Sequence, residues 1–325
     1  MTHIRLKLCC SVVAIGLQAT ASDWQSSFSA GEAGYLQGHL VEAQRSYELA
    51  AEEAEAFTPG DARRARSFLA LALVLREQAD FHKSETLYKR VLSESEAAFG
   101  ERHPQTVAAL NGLALLYCDS RRFSDAETIL ERALETTKFS FGPRSRQFGF
   151  ALNNLGTLYV LQQRYGSADS VFEQALEIFR TGANTGVELG DALNNLANVK
   201  QNLDKQSEAD VLYEAAIGMY RKSLGTRHAK LAVVLDNRAT LLMKIGRNSE
   251  AETLFRSSMA IFEEAFGPES PRLTKVLTNY AALLRSTDRK AEAKKLEKRV
   301  ARIEAHHPGT RIAAMTIQAT TLSAK

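Results

Sequence analysis

The sequence predicts an all-α fold, a solenoid of about seven helix–turn–helix units stacked side by side. Three observations carry the prediction. A small residue recurs at Ala72, Ala114, Gly156, Ala197, Ala239 and Ala281, in steps of 42, 42, 41, 42 and 42. Twelve positions after each sits a second small residue: Ser84, Ala126, Ala168, Ala209, Ala251 and Ala293. Four positions further comes a bulky apolar one, Tyr88, Leu130, Phe172, Tyr213 and Phe255, replaced by Glu297 in the last unit. A fixed period of this length marks units that bury their apolar faces only against their neighbours.

Each element follows from the same pattern. Ala43, Tyr47 and Ala50 repeat the second-helix signature 41 residues before Ser84, which adds a first unit whose first helix lies within Trp24 to Leu36. Trp24, the only tryptophan, is expected to pack at the N-terminal end of the array. In one central unit, Leu152, Leu155, Leu158 and Tyr159 form one helical face within residues 151–163. Val171, Phe172, Ala175, Leu176 and Phe179 form the face of a second helix over about 167–179. Gly156 and Ala168 let the two backbones approach, and a larger residue there should overpack at a cost of roughly 1–3 kcal/mol. Gly100, Gly142, Gly225 and Gly267 fall where the second helix should stop, in the usual helix-terminating role of glycine. Pro104 and Pro271 fall where the next helix should start. The junction Thr181 to Gly186 lacks the proline and the step is one residue short, so it reads either as a looser loop or as a hinge.

The residues Leu110-x-x-Leu113-Ala114-x-x-Tyr117 and Leu152-x-x-Leu155-Gly156-x-x-Tyr159, with the small residue and aromatic that follow, resemble the tetratricopeptide repeat. The 42-residue spacing, the Leu-Asn-Asn-Leu starts at Leu152 and Leu193, and the His103-Pro104 junction are similar to the kinesin-light-chain type of that repeat. The resemblance covers about residues 24–305. It implies a right-handed α-solenoid in which the first helix of each unit, helix A, lines the inner face. It does not name a partner, because this repeat serves many unrelated ones.

The ends differ from the array. Residues 1–21 read as a signal peptide: His3, Arg5 and Lys7 form a basic start, Leu8 to Leu17 an apolar run, and Ala19-Thr20-Ala21 a small-x-small cleavage site. Cleavage after Ala21 and export to the periplasm or the medium are therefore expected, with a retained anchor as the alternative. The array then occupies 22–305. Residues 306–325 form a tail, capping or disordered, opened by His306-His307-Pro308-Gly309. Between array and tail, Arg289, Lys290, Lys294, Lys295, Lys298, Arg299 and Arg302 outnumber Glu292, Glu297 and Glu304. This reads as a solvated capping helix, since a terminal repeat needs a polar outer face.

Composition excludes several classes. The formal charge of +3 falls to +1 without Arg5 and Lys7, which is no general polyanion binder, so no nucleic-acid partner is expected. No stretch after the signal is long and apolar enough to span a membrane. Of three cysteines, only Cys118 remains after the signal, so no internal disulfide forms, and Cys118 reads as a small apolar filler. His103 and His228 sit at equivalent junctions and read as structural. There is no Gly-x-Ser-x-Gly, no phosphate-cradling glycine loop and no His-Glu-x-x-His, so catalytic residues, cofactors and metals are not expected.

The candidate site is the inner face of the A helices. Asn111, Asn153 and Asn194 fall in one column, and Asn154, Asn195, Asn237 and Asn279 in the column beside it. Asparagine disfavours helix by up to about 0.7 kcal/mol against alanine, so a ladder of them invites explanation. Each amide offers two donors and an acceptor to the backbone of an extended peptide, or else bonds a neighbouring helix within the solenoid. Phe150, Val160, Leu161 and Val233 would add apolar contacts. The function expected is a non-enzymatic scaffold that binds a protein or peptide in the groove, in the cell envelope. The alternatives are a structural or accessory envelope subunit that assembles through its ends, and an enzyme with a site built across repeats.

Overall fold

The computed structural model describes residues 21–182 and 186–307. Among these residues fourteen α-helices form seven A/B pairs. They are α1 (Ala21–Leu36) with α2 (Leu40–Ala54), α3 (Ala62–Glu77) with α4 (Phe81–Phe99), and α5 (Pro104–Asp119) with α6 (Phe123–Phe141). Then come α7 (Arg146–Leu161) with α8 (Tyr165–Thr181), α9 (Gly186–Asn202) with α10 (Gln206–Leu224), α11 (Ala229–Lys244) with α12 (Asn248–Phe266), and α13 (Thr274–Ser286) with α14 (Lys290–His306). A short 3₁₀ turn, Pro271–Leu273, leads into α13, and there is no strand among the described residues. The fold is the expected α-solenoid. Residues 1–20 of the predicted signal segment 1–21, the junction residues 183–185 and the tail from 308 lie outside the described residues, and with them the expected cleavage, hinge and tail.

The bulky column is the spine of the core. Tyr47, Tyr88, Leu130, Phe172, Tyr213 and Phe255 are all buried. Gly112 and Gly156, on the A helices beside this column, face its rings rather than bare backbone. A Cβ on Gly156 would stand 2.7 Å from the Phe172 ring, and one on Gly112 only 2.1 Å from the Tyr88 ring. At the N-terminal end Trp24 is buried, stacks on Phe28 at 5.2 Å and donates its indole N–H to Ser67 Oγ at 2.7 Å. At the other end α14 buries only Ala293 and Ile303. The aromatic column Phe179, Tyr220, Phe262 ends there in Glu304, and Glu297 takes two bonds from Arg285 at 2.6 and 2.7 Å. Arg299 and Arg302 pair with Glu263 and Glu269 of the preceding loop and helix. The arginines of the basic segment thus form a polar capping face, tied down largely by acids of the preceding unit. Cys118 is buried, and burial pushes its thiol up to about 12, so it packs as a filler.

The turns show where the chain is punctuated. Helix α7 starts at Arg146, earlier than its apolar stripe, because the Ser145 hydroxyl caps it by accepting the Phe148 N–H at 3.2 Å. Each A-to-B turn carries one residue with positive φ: Gly38, Ala79, Arg121, Gln163, Asp204, Gly246 and Asp288. The next N–H closes a six-to-one bond to the end of helix A, as from Asp80 to the Leu75 carbonyl at 2.9 Å. Left-handed backbone costs a residue with a Cβ about 1–2 kcal/mol. Ala79→Gly relieves that strain and adds about 0.5–1 kcal/mol of unfolded-chain entropy. It is expected to stabilise the protein by roughly 0.5–1 kcal/mol in urea melts. The B-to-A glycines Gly100, Gly142, Gly225 and Gly267 stop their helices as expected, but in a different conformation. With φ of 83–88° and near-extended ψ they occupy a region adopted essentially by glycine alone. Gly182 has φ −78° and is ordinary extended chain.

His103 and His228 are N-caps. Their Nδ1 atoms accept the N–H groups of Gln105 at 3.2 Å and Lys230 at 3.1 Å, the place Ser145 and Ser270 fill at other junctions. Only a neutral imidazole can accept. Burial, and then the nearby Lys230 against the opposing Asp191, lower the His228 value below the ordinary 6.5. The unfolded chain therefore takes up this proton first. The cap's contribution is complete above about 6.5 and is lost as pH falls through the lower folded value. The melting temperature should fall on acidification through this range, and less so in His228→Asn, which caps without titrating. An identical acid slope in the two proteins would exclude the cap.

Candidate functional site

Successive A helices touch from α3 onward, whereas successive B helices make no comparable contact. The more closely spaced layer lies on the inside of a curve, so helices A line the concave face. The predicted columns lie there, and the structure joins them. Asn154 Nδ2 donates to Asn111 Oδ1 at 3.0 Å, Asn195 to Asn153 at 2.9 Å, and Asn237 to Asn194 at 3.0 Å. Asn279 donates to both oxygens of Asp236 at 3.1 and 3.2 Å. Each rung runs from the second column of one unit to the first column of the unit before it. Four rungs therefore stitch α5 to α7, α7 to α9, α9 to α11, and α11 to α13.

The rungs orient the amides without exhausting them. An asparagine has two N–H donors and an oxygen with two lone pairs, and one rung uses one donor of one amide and one lone pair of the other. Asn111 and Asn153 accept in their rungs, which leaves their own N–H groups turned to the half-exposed inner face. Asn154, Asn194 and Asn195 are buried, at 4, 7 and 9% exposure, so their role in helix-to-helix bonding is the larger one. Asn194 also points a donor at Asn195 Oδ1 at 3.4 Å. Phe150 is half-buried, packs its ring against Phe179 at 5.4 Å and carries the Arg146 guanidinium over it. Val160 and Val233 are half-buried, and Leu161 is 38% exposed.

Two participants escaped sequence reading. Asp236 occupies the Asn111–Asn153–Asn194 column in the next unit, is almost fully buried, and burial raises its carboxyl value against the pull of Lys275. Lys275 reaches Asp236 at 3.3 Å and Asn237 Oδ1 at 3.1 Å, closing the C-terminal end of the ladder. The signal was present, since a 43-residue spacing links Asn111 to Asn154 and Asp236 to Asn279, but it carries meaning only once the A helices are known to touch. At the N-terminal end the same columns hold Leu69 and Ala70, so the amide surface begins at α5. Among the described residues no group of three His, Cys, Asp or Glu is arranged to hold a metal, and no helix is long and apolar enough to cross a membrane.

Models of the tetratricopeptide repeat match residues 63–138, 105–181 and 230–303, and a second model of that repeat matches 189–229. No curated protein matches the chain. Among solved structures it is similar to BtubC (BKLC) from P. vanneervenii, at 22% identity and a TM-score of 0.56, over 71% of this chain and 91% of that one. It is similar to a putative kinesin light chain of Podospora anserina with nearly identical repeats, at 19% identity and TM-score 0.51, over 64% and 98%. The Rap conjugation gene regulator of the plasmid pLS20, solved with the Phr* peptide, matches at 14% identity and TM-score 0.63, over 92% and 80%. At these identities the likeness speaks for the fold. With the family models spanning most of the array, the chain belongs to the tetratricopeptide-repeat family.

Proposed function

We propose that the protein is a non-enzymatic scaffold that holds an extended peptide or protein segment along the inner face of its A helices. The observation that carries this reading is the amide ladder: side chains fixed in orientation by their rungs repeat from α5 to α13, with donors left over on the half-exposed Asn111 and Asn153. Pre-oriented donors bind a backbone with less entropy to lose. The pLS20 Rap regulator, of similar fold, was solved with a peptide, which supports a peptide as the ligand class. The basic, apolar and small-residue order of residues 1–21 supports export to the periplasm or the medium, and N-terminal sequencing of exported protein would check it. Assembly through the C-terminal end is less well supported, because Glu297 and Glu304 stand where the units just before them have bulky apolar residues.

The reading is tested by Asn111→Asp combined with Asn153→Asp. Both residues accept in their rungs, so aspartate keeps the rung while replacing the free donors by acceptors. Asp236 already plays this part next to Asn279. Peptides selected from a random display library against the wild-type protein should bind the variant at least about tenfold more weakly, the effect of losing one to two net hydrogen bonds. Melting should change little. Unchanged affinity for every selected peptide would remove the ladder from the binding surface.

A further inference from the structure

On the face opposite the ladder, each gap between successive B helices is floored by the A helix between them. In most units flat groups cover that floor. Between α4 and α6, Tyr117 lies under the Arg122 guanidinium at 4.2 Å, and both groups bond Glu85 at 2.9 Å. Between α6 and α8, Tyr159 lies under Arg164 at 4.2 Å, and Arg164 reaches Glu127 at 2.8 Å. Arg238 and Arg247 converge on Asp210 between α10 and α12. Tyr280 and Arg289 converge on Glu252 between α12 and α14.

The gap between α8 and α10 departs from this pattern. Lys200 stands in the column of Tyr117 and Tyr159, and Lys205 in the column of Arg122 and Arg164. A lysine offers only a narrow aliphatic stem and a compact ammonium, which cover less of the floor than a tyrosine ring under a guanidinium. The result is an open cleft whose floor is Leu176, Leu196 and Leu212. At its lip Val211 is 69% exposed, in a column that otherwise reads Thr86, Thr128, Ser170, Thr253 and Lys295. Three carboxylates surround the Lys200 ammonium, Asp169 and Glu173 at 2.9 Å and Glu208 at 3.6 Å, and Lys205 reaches Glu208 from the rim at 3.9 Å, so three acids face two ammonium groups. Glu173 and Glu208 stand on opposite walls, and each is more than half exposed.

We propose that this cleft is a second docking site, for a basic amphipathic segment of a partner protein. One aliphatic side chain of the partner fills the space over Leu176, Leu196 and Leu212. A lysine or arginine beside it is held by Glu173 and Glu208, which with Asp169 carry one charge more than Lys200 and Lys205 supply. Contact with Val211 closes the lip. The site is independent of the groove, and a scaffold with both would hold two partners on opposite faces.

The experiment titrates the full chain with a synthetic amidated helical peptide of leucine and lysine, and with its leucine–glutamate counterpart, by calorimetry. The wild type should bind the lysine peptide and not the glutamate one. Lys200→Tyr with Lys205→Arg restores the covered seam of the neighbouring units and should weaken binding at least about tenfold, the effect of denying one aliphatic side chain its pocket. Val211→Thr, an exposed change that leaves folding intact, should weaken it by a smaller factor. Asn111→Asp with Asn153→Asp should leave it unchanged, so loss of the groove reading and loss of this one are told apart. No binding by the wild type would overturn the proposal, as would equal affinity for both peptides. So would wild-type affinity in Val211→Thr together with the covered variant, and if the covered variant does not fold, wild-type affinity in Val211→Thr alone overturns it.

Discussion

Tyr213→Ala should destabilise the array by about 3–5 kcal/mol, the range for deleting a fully buried large aromatic side chain. The residue has no exposed surface. Its ring fills the gap between α9 and α10, and its hydroxyl lies 2.8 Å from Asn198 Oδ1 and 3.1 Å from Gln201 Oε1. Neighbours in a solenoid cannot collapse into the hole without shifting the stacking of the next unit. Tyr213→Phe keeps the ring and loses only the hydroxyl bond, so it should cost about 1 kcal/mol. Urea denaturation of both variants measures the division between packing and hydrogen bonding. Hydrogen exchange should show protection lost first in α9 to α12, with the end units less affected, because contacts are between neighbours only. Uniform loss of protection along the chain would show that the array unfolds as one unit.

Asn154→Ala combined with Asn195→Ala should lower stability by about 1–4 kcal/mol. Each change leaves a partner oxygen, on Asn111 or Asn153, facing a gap in a part-buried interface, at up to about 1–3 kcal/mol per group. Alanine returns up to about 0.7 kcal/mol per site as the better helix former. A peptide-gripping role alone would leave the melt unchanged, and a helix-bonding role alone would leave peptide affinity unchanged. The structure makes the first outcome untenable for these two buried amides, since both donate to neighbouring helices. Comparison with Asn111→Asp and Asn153→Asp, which keep their rungs, then isolates binding from stability. A double alanine variant that melts like the wild type would show that the rungs are not formed in solution.

Much of the fold is legible because a solenoid is local. The period places Gly156 against the next helix and Phe172 in the core without reference to any distant residue, and the described helices fall where the stripes put them. What the stripes miss is exposed or conformational. The first turn of α7 offers a single apolar residue, Phe148, which precedes the Leu152–Leu155–Leu158–Tyr159 stripe, and the Ser145 cap is what starts the helix. The left-handed residues at Ala79, Arg121 and Gln163 are not glycines, so composition gives no warning of them. The cleft beside Lys200 was invisible because lysine in a helix reads as surface until its neighbours are known.

The asparagine columns mark the boundary between the two kinds of knowledge. Sequence alone determined that the amides recur at one face of the A helices, because a helical period and a repeat period together fix which residues share a face. It determined the family, the number of units and the capped, polar C-terminal end on the same grounds. Tertiary structure alone decided what the amides do for one another, because the offset of one position between adjacent helices depends on how closely and at what angle they pack. That packing depends on the side-chain volumes between each A helix and the B helices beside it, Gly112 of α5 against Tyr88 of α4 and Gly156 of α7 against Phe172 of α8, and not on any pattern along one helix.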